Sequence, residues 1–280
     1  MKKGLLTMAG VLLTVSLVSA GTTVPVLAEE ETTLVYGSGD YTRINPAMDE
    51  HGEINILIFN GLTAHDGDNQ VVPGLAESWD FDDETNTYTF HMAEDAKWQD
   101  GEPVTAEDVK FSIERHLEVG GSLPIEADVK SVEAVDEKTV EITLGTAYTP
   151  FLSELANFSN GIIPKDFGGK TEEEFFKNPV GTGPFAVSEW DPSGDLTFVK
   201  NEYYWQEGKP YIDELVYKVV DDDNQALNQL LAGEIDGIED LSLSNASNVD
   251  GNADTKTATS FSYNVEELFF NTLDEPFSDE

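Results

Sequence analysis

Four histidines stand at positions 51, 65, 91 and 116, and no two of them have the spacing that sets a pair of metal ligands on one helical face. There is no cysteine. That removes thiolate nucleophiles, Cys-type zinc sites, iron–sulfur clusters and disulfides from the chemistry open to the chain. Gly181-Thr182-Gly183-Pro184-Phe185-Ala186 fits G-x-G-x-x-A letter by letter. Pro184 and the strand-like run Phe185-Ala186-Val187 contradict the strand–turn–helix context that a dinucleotide needs. Neither a nucleophile elbow nor a phosphate loop with its lysine is present. Carboxylates are everywhere, and abundance is not geometry, so no pair is singled out as an acid and base. Asp66-Gly67-Asp68-Asn69 and Asp221-Asp222-Asp223-Asn224 look like calcium loops at first, yet neither continues with the spaced ligands and distal Glu that such a loop requires. No catalytic residue, metal site or cofactor is expected.

The ionisable residues are far out of balance, with Lys+Arg 15 against Asp+Glu 55 and a formal net charge of −40 in 280 residues. Hydrophobic residues at 39% are enough to build a core, so the chain is globular and not a disordered acidic tail. Nucleic acid is excluded as a partner, because phosphate binding draws on clustered Lys and Arg. Anionic membrane surfaces would repel the chain. The charge reads as a solubility device, suited to a salty medium that screens self-repulsion.

The first residues read as an address. Met1-Lys2-Lys3 is a positive start, and Gly4 to Val18 is an apolar run too short to span a bilayer, which needs about 20 residues. Val26-Leu27-Ala28 fits a small-x-small cleavage site, with Val18-Ser19-Ala20 as second choice, so residues 1–28 are expected to be a signal peptide. An uncleaved N-terminal anchor is the alternative. The protein is expected to be exported, to the periplasm or the outer face of the cytoplasmic membrane, and without cysteine it cannot be a Cys-anchored lipoprotein.

The elements that must position any site follow from periodicity. Thr32 onward reads as a short strand ending in a glycine-rich turn, Ile54 to Phe59 suits a buried helix or strand, and Gly61 to Gln70 is turn-rich. Tyr88, Phe90 and Met92 alternate with polar neighbours as a half-buried strand does. Thr105 and Asp108 predict a capping box, followed by Val109, Ile113 and Leu117 on one helical face and a stop at Gly120-Gly121. Val129–Val135 and Val140–Leu144 predict a hairpin about Asp136-Glu137-Lys138, and Phe151–Phe158 a second helix. After the breaker cluster at 178–184, strands are expected at 185–190, 196–200 and 215–220, then a helix from Asn224 to Ala232 ended by Gly233. The fold class is α/β, in the mixed α+β sense.

In order and spacing, several segments together resemble the large solute-binding proteins of ABC importers, family 5, which includes oligopeptide-, dipeptide- and nickel-binding proteins. They begin with Ile44-Asn45-Pro46 and GLTAHDGDNQVVPGLAESW at 61–79. The likeness is densest in YTFHMAEDAKWQDGEPVTAEDVKFSIER at 88–115. Ile163-Pro164-Lys165, NPVGTGPFAVSEW at 178–190, NEYYW at 201–205, Gly208-Lys209-Pro210 and Leu231 to Asp236 complete it. The resemblance implies a two-lobed, hinged, periplasmic-binding-protein-like type II fold. Domain I would comprise 29–60 and 179–268, with domain II inserted at 61–178. Trp79, Trp98 and Trp190 are expected to pack the lobes. Phe269 to Glu280 resembles the start of a third domain, so the chain is expected to be an N-terminal portion with its second lobe truncated.

By the same resemblance, the protein is a monomer that captures di- or oligopeptides, or a similar small solute, and delivers them to permease and ATPase subunits. Its contact with the membrane is through the transporter or an uncleaved signal segment. A sensor or chaperone role on the same fold, a nickel-chelate or oligosaccharide ligand, and a secreted hydrolase are the alternatives. In relatives the loop after the first strand lines the cleft, which nominates Asp49, Glu50 and His51. Position alone adds Tyr36, Asn60 and the stretch Asn157 to Gly161, with Asn160 among it.

Overall fold

The computed structural model describes residues 31–49, 52–121, 123–239 and 241–258. Two sheets organise them, each with its own apolar core. The first is antiparallel, in the order β4 (Ala76–Asp82), β5 (Thr87–Met92), β7 (Thr139–Leu144), β6 (Val129–Ala134). Period-two alternation sends Tyr88, Phe90 and Met92 of β5 and Val140, Ile142 and Leu144 of β7 to one face. Against that face lie α2 (Ala106–Val119), through Val109 and Ile113, and α3 (Phe151–Leu155), through Phe151 and Leu155. Each of these large side chains, fully buried, contributes about 1.5–3 kcal/mol of apolar transfer. Apart from Val180 at its margin, the core draws on residues between Leu62 and Ile162.

The second sheet runs β11 (Gly237–Ile238), β1 (Thr33–Ser38), β10 (Glu214–Val219), β9 (Leu196–Lys200), β8 (Phe185–Trp190). Here β1 is parallel to both neighbours, and Thr33 pairs with Glu214 across 181 residues. Its core takes Tyr41, Ile44, Ile54, Ile58 and Phe59 from before the first sheet, and Phe185, Leu196, Phe198, Leu215 and Tyr217 from after it. Ile163, Phe175 and Phe176 also pack there, the last two from α4 (Glu172–Lys177). A short β2 (Thr63–His65) and β3 (Val71–Pro73) form a separate hairpin, and α5 (Asp223–Ala232), α6 (Leu243–Asp250) and α1 (Gly52–Ile58) complete the set.

The chain passes between the sheets at two places that touch. Gly183 N–H donates to Ile58 C=O at 2.8 Å, and a Cβ on Gly181 would stand 1.9 Å from that same carbonyl oxygen. Only glycine lets the two strands of backbone approach so closely. Gln99 closes the junction, accepting from Gly181 N–H at 2.9 Å and donating to Phe185 C=O at 2.6 Å. The Gly-Thr-Gly-Pro segment is therefore a packing device, and β8 follows it at once.

Several expectations need adjusting. The apolar run that begins at Ile54 is helical through Ile58, in α1, and Phe59 lies just past its end. The turn-rich Gly61–Gln70 contains β2, and the second helix ends at Leu155, after which Phe158–Asn160 forms a separate 3-10 turn. The capping box is present, with Thr105 N–H donating to Asp108 Oδ2 at 2.8 Å. Leu117, however, lies 37% exposed, and His116 is the buried residue in that turn. Trp98 is buried in the first core, Trp79 packs at its edge, and Trp190 donates to Tyr41 C=O at 2.8 Å beside the second. The signal segment and the 269–280 stretch lie outside the described residues.

Candidate functional site

A cavity of about 440 Å³ opens where the two sheets meet. Four short segments build it. The helix α1 supplies Gly52 and Ile56, the first crossing supplies Phe59, Asn60 and Gly61, β2 supplies Thr63, Ala64 and His65, and the end of α3 with its 3-10 turn supplies Ala156, Asn157, Phe158 and Gly161. This size suits a small ligand, and the lining is mainly apolar with a few convergent polar groups.

Close backbone contacts keep the walls in place. A Cβ on Gly61 would come within 2.6 Å of Leu155 C=O, and one on Gly52 within 2.6 Å of the Phe158 ring. Thr63 Oγ1 donates to Leu152 C=O at 2.7 Å, joining β2 to α3. Asn60 is the knot. Its N–H donates to Thr182 Oγ1 at 3.2 Å, its C=O accepts from Ile162 N–H at 2.9 Å, and its Oδ1 accepts from Trp205 Nε1 at 3.1 Å. Burial pushes the Tyr204 hydroxyl above its ordinary value, and a hydrogen bond with the Asn60 side chain partly offsets this. The paired aromatics of the Asn201–Trp205 segment thus fix which way the Asn60 amide faces.

Of the nominated residues, Asn60 and Asn157 line the cavity together. Asn160 sits just beneath, 6% exposed, donating through Nδ2 to Glu154 C=O at 2.8 Å, while its Oδ1 has no hydrogen-bond partner among the described residues. Asp49 points inward, 2% exposed, and accepts from Asn55 Nδ2 at 3.2 Å, so its carboxylate braces the start of α1. Tyr36 stands on β1 with its ring 6.0 Å from Tyr217 and is not part of the cavity wall. Glu50 and His51 lie outside the described residues.

Ile56, Thr63, Ala64 and His65 were not nominated by the sequence, whereas Phe158 and Gly161 fall in the nominated stretch 157–161. Gly61 and Gly161 were the available signal, since a Cβ on the first would meet Leu155 C=O at 2.6 Å and one on the second the Phe59 side chain at 2.6 Å. His65 is the titratable group of the lining, and its Nε2 stands 2.8 Å from Ser153 Oγ. No metal-binding cluster of His, Asp or Glu occurs among the described residues. A second hollow, about 470 Å³, is bounded by α5 and its ends alone, from Asp222 to Glu234, so it is a groove on one helix and has no converging walls.

Residues 70–280 match the family described as bacterial extracellular solute-binding proteins, family 5 middle. The chain belongs to this family. The periplasmic oligopeptide-binding protein OppA of Escherichia coli is 28% identical over 82% of this chain and 46% of its own length. The dipeptide-binding protein of the same organism is 31% identical over 68% of this chain and 41% of its own. Among solved structures, MoaA of A. tumefaciens R10 in complex with mannopinic acid superposes with a TM-score of 0.76 at 27% identity, covering 89% of this chain and 53% of that one. AgaA of the same strain, with agropinic acid, gives 0.74 at 31%, covering 79% and 46%. The chain spans about half the length of the relatives it matches. No helix of this family 5 protein, among the described residues, is long and apolar enough to cross a membrane.

Proposed function

We propose that this chain is the solute-capturing N-terminal portion of an extracytoplasmic receptor that serves an ABC importer and takes di- or oligopeptides. The solute enters beside the cavity at the paired crossings and is handed to permease and ATPase subunits. The observation that carries this reading is the convergence of α1, the Asn60 crossing, β2 and the 158–160 turn on one hollow between the sheets. A backbone hinge at 58–62 and 178–184 would let the two sheets close on a guest.

The same arrangement supports an inserted domain II, with domain I built from the segments that flank it. The packing of Ile163, Phe175 and Phe176 in the second core favours a return to domain I after Ile162, earlier than residue 178. Among the described residues the pocket lining carries neither a carboxylate nor a Lys or Arg, so it suits an uncharged part of the solute, with Asn60 and Asn157 offering amide hydrogen bonds. The mannopinic and agropinic acid complexes of structural relatives favour a second class of guest worth testing beside peptides.

A thermal-shift screen of the full gene product against peptides of two to five residues, nickel chelates, oligosaccharides and mannopinic acid tests the proposal. Binding at a hundredfold excess over Kd adds about 2.7 kcal/mol of stability, enough to raise Tm by several degrees. Peptides are expected to give the shift. A response to none of these classes overturns the proposal.

A further inference from the structure

His116 is 2% exposed, on the last turn of α2, and both of its ring nitrogens face backbone carbonyls. Nδ1 lies 2.8 Å from Ser159 C=O and Nε2 lies 2.9 Å from Leu123 C=O. A carbonyl oxygen only accepts, and a neutral imidazole has only one N–H. Both contacts are hydrogen bonds only when the ring carries two protons. Ser159 belongs to the 3-10 turn whose Phe158 forms the cavity wall opposite Gly52.

We infer that His116 is a positioning residue for this wall of the cavity: as imidazolium it clamps the 158–160 turn and the 123–125 segment to α2, and loss of one ring proton releases one clamp. The charge is placed where the helix C-terminus favours a cation. Its surroundings supply little else. The turn carries Phe158, Ser159 and Asn160, and residues 123–125 are Leu, Pro and Ile. Beyond them, Glu154 accepts from the N–H groups of Glu126 and Ala127 at 3.3 Å and from the Tyr148 hydroxyl at 2.9 Å. On α2, Arg115 is turned to Glu172 and Asn45, and Glu114 and Glu118 are exposed. The loop packed on Gly121 holds Asp49, engaged with Asn55. Glu133 of β6 pairs with Lys110, with Glu141 of β7 beside it in register, and Lys165, next to Asp166, pairs with Glu107. The direct partners of the ring are therefore two carbonyls, and its protonation sets how many of them it can hold.

Which contact survives also follows. Leu123 C=O has a second donor, Ser159 Oγ at 3.2 Å. The ring is thus expected to keep Nδ1–H on Ser159 C=O and to lose the Nε2 contact as pH rises. The consequence for solute affinity rests on the function proposed above; the protonation itself does not.

Imidazole nitrogen-15 spectra of the intact protein from pH 5 to 8, read beside backbone amide exchange at 125–127 and 159–163, test the inference. The expected result is a His116 ring with two N–H groups at the acid end, passing to the Nδ1–H tautomer. Exchange protection at 125–127, next to the carbonyl that is released, corrected for intrinsic chemistry, should fall about tenfold in step, the equivalent of one hydrogen bond, while 159–163 stays protected. His116→Gln should abolish the step. A ring that stays a single neutral tautomer across the range overturns the inference, as does a protection step unchanged in the variant. If His116→Gln does not fold, the wild-type ring spectra decide. A failed solute screen would strike the proposed function and leave this titration untouched.

Discussion

The two sheets close in different ways. In the four-stranded sheet β4, β5, β6 and β7 lie within residues 76–144, two of its three pairings are between consecutive strands, and every pairing is antiparallel. In the five-stranded sheet the inner strand β1 waits for β10 and β11, and Thr33 meets Glu214, 181 positions further along the chain. Long-range parallel pairing must overcome loop-closure entropy before any contact repays it. The first sheet is thus a unit that can form on its own segment, and the second depends on the first having folded its ends together. The cavity lies on the border of the two, where neither sheet alone can hold its walls.

Removing a buried ring from each core separates these dependencies most sharply. Phe90→Ala and Phe198→Ala each delete a fully buried side chain and should cost about 3–5 kcal/mol. Hydrogen exchange is expected to show β1 and β10 amides losing protection in both variants, while β5 and β7 amides stay protected in Phe198→Ala. Equal loss everywhere in Phe198→Ala would make the sheets one cooperative unit and break the comparison.

At the border, Gly181→Ala places a Cβ 1.9 Å from Ile58 C=O and forces the crossings apart. About 1–3 kcal/mol of destabilisation is expected from overpacking of this kind, visible in the urea midpoint. Asp49→Ala should cost about 1–3 kcal/mol against the unsubstituted chain by leaving Asn55 without this acceptor, a loss of stability in the free protein. Comparing the two melting temperatures decides whether the acid loop is a brace or a contact surface.

Salt gives a smaller and more general effect. With a formal net charge of −40, screening by 1 M NaCl should raise Tm by a few degrees, and a fall would remove self-repulsion from the account. Smallest is the tie at the start of β1. Asp213 accepts from Thr32 N–H at 2.9 Å, and this bond with the Thr32 hydroxyl holds the carboxyl below its ordinary value. A lowered carboxyl stabilises the fold above that range and ceases to do so as pH falls through it. Exchange at residues 32–34 should therefore quicken on acidification more than in Asp213→Asn.

The same contrast explains what could be read beforehand. Tyr88, Phe90 and Met92 declare their strand by alternation, and Thr105 with Asp108 declares the helix start, because those signals are local. The pairing of β1 with β10 leaves no local trace, and β2 was hidden because Thr63–His65 is three residues long among turn formers. Asn60 and Asn157 were found by position. Ile56 and His65 were not, since a cavity wall is defined by which segments meet and not by residue type. Leu117 fitted the apolar spacing, yet the buried place went to His116, whose two carbonyl partners lie 7 and 43 residues away.

The central claim is that the border cavity receives the solute. Amide hydrogen exchange of the full gene product, with and without the peptide pool of the thermal-shift screen, addresses it directly. Protection is expected to rise at residues 54–65 and 156–163 when peptide is added. Protection confined to the α5 groove, between residues 222 and 234, would contradict the account.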